Sequence, residues 1–191
     1  MKISGKFVLK VAGTLTIIAL VVAALLGVVD MVTHDKIDAI NVEKTNQALA
    51  AVAPEGAEFT PVELSDAAVA AAAAYGTLDS MYAMSTGGYA MKIVASGSQG
   101  SIEMIVGVDG NKALTGVSVV NHSETGGIGT KVINNDPNSA GTPVLDQFIG
   151  MSGAGSLVVG KTVTPISGAT VTSKGITAGC NAALAAVEAM G

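Results

Sequence analysis

Residues 78–120 read LDSMYAMSTGGYAMKIVASGSQGSIEMIVGVDGNKALTGVSVV, and apolar runs of strand length alternate in them with short polar turns. The runs are Leu78–Met84, Tyr89–Ala95, Ser101–Val108 and Ala113–Val120. The turns are Thr86–Gly88, Gly97–Gly100 and Asp109–Asn111, and each contains residues that favour tight turns. Because turns this short join successive antiparallel strands, the pattern predicts an antiparallel meander.

Helical patterns flank the predicted sheet on both sides. Alanine-rich segments favour helix, and apolar residues three and four positions apart predict a buried helix face. The predicted elements are an Ala-rich helix over Ala67–Ala74 begun by Ser65 and Asp66, a short helix over Pro143–Ile149, a short strand over Leu157–Val159, and a final helix over Val171–Met190 whose stripe contains Ile176, Cys180, Ala183, Leu184 and Val187. We therefore predict an α+β domain over residues 65–191, with an antiparallel sheet and flanking helices.

An apolar segment precedes this domain. Val11–Val29 reads VAGTLTIIALVVAALLGVV and contains no charge. As a helix it would be about 28 Å long, close to the hydrocarbon thickness of a bilayer. Lysines precede the segment at positions 2, 6 and 10, and aspartates follow it at positions 30, 35 and 38. The positive-inside rule then predicts a single-pass protein of the cell membrane, with residues 1–10 in the cytoplasm, 11–29 in the bilayer and the remainder outside.

Two alternatives to a membrane anchor are a cleaved signal peptide and a buried helix of a soluble protein. A signal peptide has an apolar core of about 7–15 residues that ends at a small-x-small site. The run here is longer, and Gly27–Asp30 is a poor cleavage site. Residues 30–64 are predicted to be a stalk helix, capped by Thr33 or Asp35 and running to about Val52, and then a linker that begins with the helix-breaking segment Ala53–Ala57.

The composition of the 191 residues excludes several classes of protein. Fifteen acidic residues against ten basic ones give a net charge of −5, which is unlike a nucleic-acid-binding protein. A hydrophobic content of 49% excludes an intrinsically disordered chain. The single cysteine excludes an intramolecular disulfide and an iron–sulfur cluster held by cysteines of this chain alone. His, Asp and Glu show no metal-ligand spacing, and no set of catalytic residues is recognisable.

Two segments rich in glycine and small polar residues could bind a ligand. The first, Asn121–Lys131, follows a predicted strand and has three glycines within four residues, which let a backbone approach a flat ligand. The second, Pro165–Lys174, lies at the start of the final helix, where free backbone N–H groups and the helix dipole favour an anion. Lys174 is a possible counter-charge. The structural alternative is that Thr170, Thr172 or Ser173 simply caps this helix.

The same two segments resemble the motifs of a known family. Ser167–Thr170 reads SGAT and is followed by Val171-Thr172-Ser173, and Glu124–Gly129 reads ETGGIG. The order and spacing of these motifs behind one membrane helix resemble the FMN-binding domains of the Rnf complex G subunit and of its relative, the C subunit of the sodium-pumping NADH:quinone oxidoreductase. Two positions depart from the family pattern, which usually has Pro at position 126 and an acidic residue at position 164, here Gly126 and Thr164.

The resemblance implies that Thr170 carries FMN through a phosphoester bond, attached outside the cytoplasm by a flavin transferase that uses FAD as donor. It implies two further groups of cofactor-binding residues. Those that would line the phosphate are Ser167, Gly168, Ala169 and Thr172. Those that would approach the isoalloxazine ring or the ribityl chain are Glu124, Thr125, Gly127, Ile128, Gly129 and Thr130.

A covalent flavin agrees with the composition. A noncovalent flavin site needs aromatic stacking and firm phosphate contacts, whereas this chain has no Trp and no Arg. A covalent bond replaces affinity by a high effective concentration. The resemblance thus implies an electron-transfer subunit of an Rnf-type ferredoxin:NAD⁺ oxidoreductase that moves Na⁺ or H⁺, working with the other membrane subunits and their flavin or iron–sulfur centres. It implies no independent catalysis by this chain.

Two other functions remain open at this point. One is the equivalent subunit of the quinone reductase, and the other is a membrane-tethered binding module without redox function, in which Thr170 would only be part of a helix cap. Three residues outside the motifs are interpreted structurally: Cys180 as a core residue, His122 as a surface or turn residue, and Asp109 as part of a turn.

Overall fold

The computed structural model describes residues 5–191, so Lys2 and the side chain of Asp35 lie outside the described part of the chain. The described residues form two units, divided between Glu43 and Lys44. The first unit consists of helix α1, Gly5–Val52, whose last turns belong to the second unit. In its length and composition, α1 is long and apolar enough to cross a membrane.

The predicted start of a second helix at Thr33 or Asp35 is wrong, because α1 is helical through both positions. The hydroxyl of Thr33 donates to the carbonyl oxygen of Val29 at 2.9 Å, as threonines inside helices do. No glycine or proline lies between residues 30 and 52 to interrupt the helix. The predicted end at Val52 is confirmed, two residues before Pro54.

The second unit contains a five-stranded antiparallel sheet in the order β1-β2-β3-β4-β5, which confirms the predicted meander. The strands are β1 Phe59–Val62, β2 Thr77–Met84, β3 Tyr89–Ser96, β4 Ser101–Val108 and β5 Leu114–His122. The sequence does not predict β1, because this strand is four residues long and contains Pro61. Proline is tolerated there because β1 is an edge strand.

Helices cover both faces of the sheet. Besides α1, the helices are α2 Asp66–Ala72, α3 Thr130–Ile133 and α4 Thr170–Met190, with a 3₁₀ turn at Asp146–Phe148. One face of the sheet forms the larger core with α2 and the predicted stripe of α4, in which Ile176, Cys180 and Leu184 are fully buried. On the other face, Leu49 and Val52 at the end of α1 pack in a smaller cluster. The α+β fold and its flanking helices are therefore as predicted.

The predicted strand at Leu157–Val159 is wrong. Val159 makes only an isolated bridge to Val163. The carbonyl oxygen of Val158 instead accepts the N–H groups of Lys161, Thr162 and Val163, so the chain turns back on itself here. Leu157 is buried in the core whereas Val158 is 40% exposed, and a run of only three apolar residues has no period that distinguishes a strand from a turn.

Candidate functional site

The N-terminus of α4 lacks a side-chain cap. Its N-cap residue is Ala169, and no side chain in the described part of the chain bonds to the free N–H groups of its first turn. The first intrahelical hydrogen bond runs from Ser173 N to Ala169 O at 2.9 Å, so the N–H groups of the three preceding residues have no partner within the helix. Unpaired N–H groups and the positive end of the helix dipole make this end suited to an anion.

The three hydroxyls of this first turn have different environments. Ser173 donates to the carbonyl oxygen of Ala169 at 3.0 Å, and Thr172, 1% exposed, donates to a carboxylate oxygen of Glu124. Thr170 is exposed, and its hydroxyl has no hydrogen-bond partner among residues 5–191. The alternative that one of these hydroxyls caps α4 is therefore wrong. A free hydroxyl instead lies beside free backbone N–H groups.

A buried carboxylate, Glu124, connects this turn to the edge of the sheet. One oxygen of Glu124 accepts the N–H groups of Ser98 at 2.7 Å and of Gln99 at 3.2 Å, both in the β3–β4 turn. The other oxygen accepts the hydroxyl of Thr172. The N–H of Glu124 itself donates to Nδ1 of His122 at 3.1 Å, and His122 is the half-buried last residue of β5 and not the surface or turn residue expected.

Two glycines, Gly97 and Gly129, have no side chain and so make room for Glu124. A Cβ atom added at Gly129 would lie 2.9 Å from Cβ of Glu124 and 3.0 Å from Oγ1 of Thr172. A Cβ atom added at Gly97 would lie 2.8 Å from Cγ1 of Ile102 and would also overlap a carboxylate oxygen of Glu124. The carboxylate is therefore tightly enclosed by the β3–β4 turn on one side and by the loop after β5 on the other.

The environment of Glu124 favours its charged form. Burial acts to raise the pKa of this carboxyl group, but the hydrogen bonds from Thr172, Gln99 and Ser98 and the nearby His122 act in the opposite direction and outweigh it. The pKa of Glu124 is therefore lowered from its ordinary value. At neutral pH the site thus contains a buried, hydrogen-bonded anion.

A cavity of about 130 Å³ opens between the loop after β5 and the start of α4. Its walls are Ser98, Glu124, Thr125, Ile128, Gly129, Gly168, Ala169, Thr170, Val171 and Thr172. Pockets that enclose a cofactor-sized ligand measure roughly 300–1,000 Å³, so this cavity can hold only part of one. The cavity is therefore large enough for a small group and the chain that follows it.

The cavity brings together eight of the eleven cofactor-binding residues expected from the sequence. Three lie off its walls: Ser167, Gly127 and Thr130. Thr130 closes the loop internally, because its Oγ1 accepts the N–H of Gly127 at 2.8 Å. Lys174, the possible counter-charge, lines a separate groove of about 230 Å³ together with Tyr75 and Val158.

Sequence reasoning missed Ser98 and Val171 among the cavity walls. The position of Ser98 follows from the meander, because the end of β3, the start of β4 and the end of β5 meet at one edge of the sheet, where Ile102 pairs with His122. A residue shortly after β5 must then lie near the β3–β4 turn. Val171 gives no signal of its own beyond its position next to Thr170.

Other chemically reactive side chains have structural roles. Cys180 is fully buried, as predicted, and burial raises the pKa of its thiol. Oδ1 of Asp109 accepts the N–H groups of Asn111 and Ala113, both at 2.9 Å, which confirms its role in a turn. Within the described residues, no group of three or more His, Cys, Asp or Glu side chains could hold a metal ion.

Comparisons with known proteins agree with this geometry. Residues 97–185, which contain the β3–β4 turn, the loop after β5 and the start of α4, match the model of the FMN-binding domain. The chain is 30% identical to the G subunit of the Na⁺-translocating ferredoxin:NAD⁺ oxidoreductase complex of Acetobacterium woodii, over 94% of this chain and 91% of the relative. It is 29% identical to the G subunit of the ion-translocating oxidoreductase complex of Methanosarcina acetivorans, over 97% of both chains.

Proposed function

The chain belongs to the family of G subunits of ion-translocating oxidoreductase complexes, and from this premise we propose that it carries FMN bonded covalently to Thr170. Family membership and the FMN-binding domain make it an FMN-binding electron-transfer subunit. The observation that carries the covalent proposal is the uncapped start of α4, where an exposed, unpartnered threonine hydroxyl stands beside free N–H groups. A phosphoester on Thr170 would satisfy those N–H groups with an anion.

The attachment reaction is a phosphoryl transfer to Thr170. Oγ1 of Thr170 loses its proton and forms a bond to the phosphorus atom on the FMN side of FAD, while the pyrophosphate bond breaks and AMP leaves. A separate flavin transferase supplies the catalytic groups for this step. The substrate side needs an accessible hydroxyl, and the exposure of Thr170 provides it.

The residues around Thr170 fit the phosphate and the chain attached to it. The free N–H groups of the first turn of α4 would bind the phosphate, and Gly168, with φ of 82°, turns the backbone just before Ala169. Thr125, Ile128 and Gly129 form the opposite wall of the cavity and would contact the ribityl chain or the ring. When bound, FMN supplies electron transfer, and the protein supplies position and electrostatic environment.

The proposal departs from the role that the family resemblance implies for Thr172. Its hydroxyl proton is donated to Glu124, so Thr172 would contribute to the phosphate site only through its backbone N–H. The small cavity also explains why a covalent bond is needed. It encloses too little volume to retain a cofactor by contact alone, and the chain has no Arg or Trp with which to add affinity.

We further propose that α1 spans the cell membrane once, with the N-terminus in the cytoplasm and the FMN domain on the extracellular or periplasmic side. The lysines at positions 6 and 10 and the acidic residues after the apolar segment support this orientation. The partners would be the other membrane subunits of the complex and their redox centres, and electron transfer through the complex would be coupled to Na⁺ or H⁺ movement. Protease accessibility in sealed vesicles would test the orientation.

Mass spectrometry of the chain purified from its native host tests the covalent proposal. FMN in phosphoester linkage should add about 438 Da, the mass of the cofactor minus water, to the peptide that contains Thr170. Thr170→Ala should abolish both this increment and the flavin fluorescence of the denatured band, while Thr142→Ala, which changes another exposed threonine, should preserve both. An unmodified wild-type peptide would refute the covalent bond to Thr170.

A further inference from the structure

The hydrogen bond between Glu124 and Thr172 is the side-chain link from the first turn of α4 to the sheet edge in the described part of the chain. Of the other two hydroxyls in this turn, Ser173 bonds within the helix and Thr170 is exposed. Glu124 is itself held by two N–H groups of the β3–β4 turn. The helix start is therefore joined to the sheet by one carboxylate, in addition to the close packing of Gly175 in the next turn against the carbonyl oxygen of Ser96.

Burial makes this link a rigid one. Thr172 is 1% exposed and Glu124 is 7% exposed, so water competes little for either side chain. Gly97 and Gly129 bring two loops against the carboxylate, and a Cβ atom at either position would overlap it. An enclosed, charge-assisted hydrogen bond of this kind holds its partners more firmly than one at the surface.

Thr170 lies two residues before Thr172, in the same helical turn. A movement of that turn would therefore move the hydroxyl of Thr170 and the neighbouring free N–H groups together. Phosphoryl transfer to a hydroxyl requires alignment of the attacking oxygen with the bond that breaks, and misplacement by about 1 Å can cost about a hundredfold in rate.

We propose that Glu124 is a positioning residue for the flavin site, which acts through Thr172 to hold the first turn of α4 and thereby places the hydroxyl of Thr170 for modification. The proposal rests on the proposed function at Thr170, and it changes the role of Glu124 from the expected contact with the flavin. The carboxylate uses its two oxygens on protein donors from two separate elements. Its contribution to the flavin is then indirect.

Two substitutions weaken the link from opposite sides. Thr172→Val keeps the shape of the side chain and removes the hydroxyl, and Glu124→Gln keeps an acceptor for the β3–β4 turn but replaces the charge-assisted bond to Thr172 by a bond between neutral groups. Thr172→Ser restores the hydroxyl and is the conservative rescue. Glu188→Gln is the matched control, because Glu188 accepts the N–H of Ala154 at 2.9 Å near the other end of α4.

The first measurement uses the full, unmodified chain in detergent and does not depend on the flavin. Hydrogen exchange should become faster at the amide of Ser173, the first hydrogen-bonded amide of α4, and at the amides of the β3–β4 turn in both variants, while the amides in the centre of α4 stay protected. Thr172→Ser and the Glu188 control should match the wild type. Unchanged exchange in the folded variants would show that the link does not hold the helix start.

The second measurement is the initial rate of FMN attachment by the flavin transferase with FAD, followed by the mass of the chain. Thr172→Val and Glu124→Gln should each slow attachment about tenfold or more, as loss of a charge-assisted hydrogen bond predicts. The double variant should be no slower than the slower single variant, and Thr172→Ser should approach the wild-type rate. Wild-type rates in the folded Thr172→Val and Glu124→Gln variants would overturn the positioning role.

The two measurements separate this inference from the function on which it rests. A wild-type chain that is never modified at Thr170 would refute the proposed function, whereas the exchange experiment would still decide whether the link holds the helix start. If one of the two variants does not fold, the other variant is compared with the wild type and with Thr172→Ser, and this comparison still tests the link. Modification at the wild-type rate despite faster exchange would also overturn the positioning role.

Discussion

Gly129→Ala is the substitution that most directly tests the tight enclosure of Glu124. Gly129 has φ of −65°, which any residue can adopt, so the alanine costs nothing through backbone conformation. The cost arises because its Cβ would lie 2.9 Å from Cβ of Glu124 and 3.0 Å from Oγ1 of Thr172. Both neighbours are held in place, since they are buried and hydrogen-bonded to each other.

The expected magnitude follows from these contacts. Overpacking of a well-packed site costs about 1–3 kcal/mol, and we take about 2 kcal/mol because two buried groups must shift. For a domain of roughly 150 residues, 1 kcal/mol corresponds to about 2–4 °C in Tm, so Gly129→Ala should lower Tm by about 4–8 °C. Because the chain contains no Trp, circular dichroism at a helical wavelength is the suitable probe of unfolding.

Gly126→Ala provides the matched control in the same loop. A Cβ atom at Gly126 would meet nothing within 4 Å, and Gly126 does not adopt a positive φ. Its replacement should leave Tm unchanged or raise it slightly, through the lower entropy of the unfolded chain. Equal Tm values for the two variants would refute the close packing of the loop against Glu124.

Two further predictions concern the pH dependence of stability and the cap of α2. The pKa of Glu124 is lowered in the folded state, so its contribution to the free energy of unfolding is fully present above the unfolded pKa of about 4.3 and is lost as the pH falls through the folded pKa. Urea unfolding should therefore show a stability difference between wild type and Glu124→Gln that is constant above about pH 5 and shrinks in acid, and a difference independent of pH would contradict a lowered pKa. Ser65→Ala should lower the free energy of unfolding by about 1 kcal/mol, because Oγ of Ser65 accepts the N–H of Ala68 at 3.2 Å as an N-cap. The exposed Ser139 is the control, and a similar loss with Ser139→Ala would contradict a specific capping role for Ser65.

The sheet could be predicted from the sequence because its signals are local. Each of the strands β2 to β5 is an apolar run, and only a short turn separates each strand from the next. Because turns this short join neighbouring antiparallel strands, the order of these strands follows from the sequence. β1 has no such apolar run, because it is only four residues long and contains Pro61. Its pairing with β2 is visible only in the structure. The strand predicted at Leu157–Val159 is wrong because three consecutive apolar residues have no period by which a strand could be distinguished from a turn.

The sequence predicted most of the residues of the candidate site but not the hydrogen bonds that join them. The resemblance of two motifs indicates Glu124 and Thr170, and the structure places both on the walls of one cavity. Ser98 escapes prediction, because it belongs to a turn that looks unremarkable along the chain. The bond between Glu124 and Thr172 joins residues 48 positions apart, and no pattern in the sequence relates them.

The sequence by itself determined the apolar N-terminal helix, the antiparallel order of the strands and the chemical types of the residues at the site. These properties follow from periodicity, turn chemistry and charge, which act over a few residues at a time. Only the tertiary structure decided which hydroxyl is free. Thr170, Thr172 and Ser173 all have a hydroxyl group, and local sequence patterns do not distinguish their environments. In the structure, Thr172 is buried against Glu124, Ser173 bonds to the carbonyl oxygen of Ala169, and Thr170 is exposed. That choice depends on where the sheet edge lies when α4 docks on it.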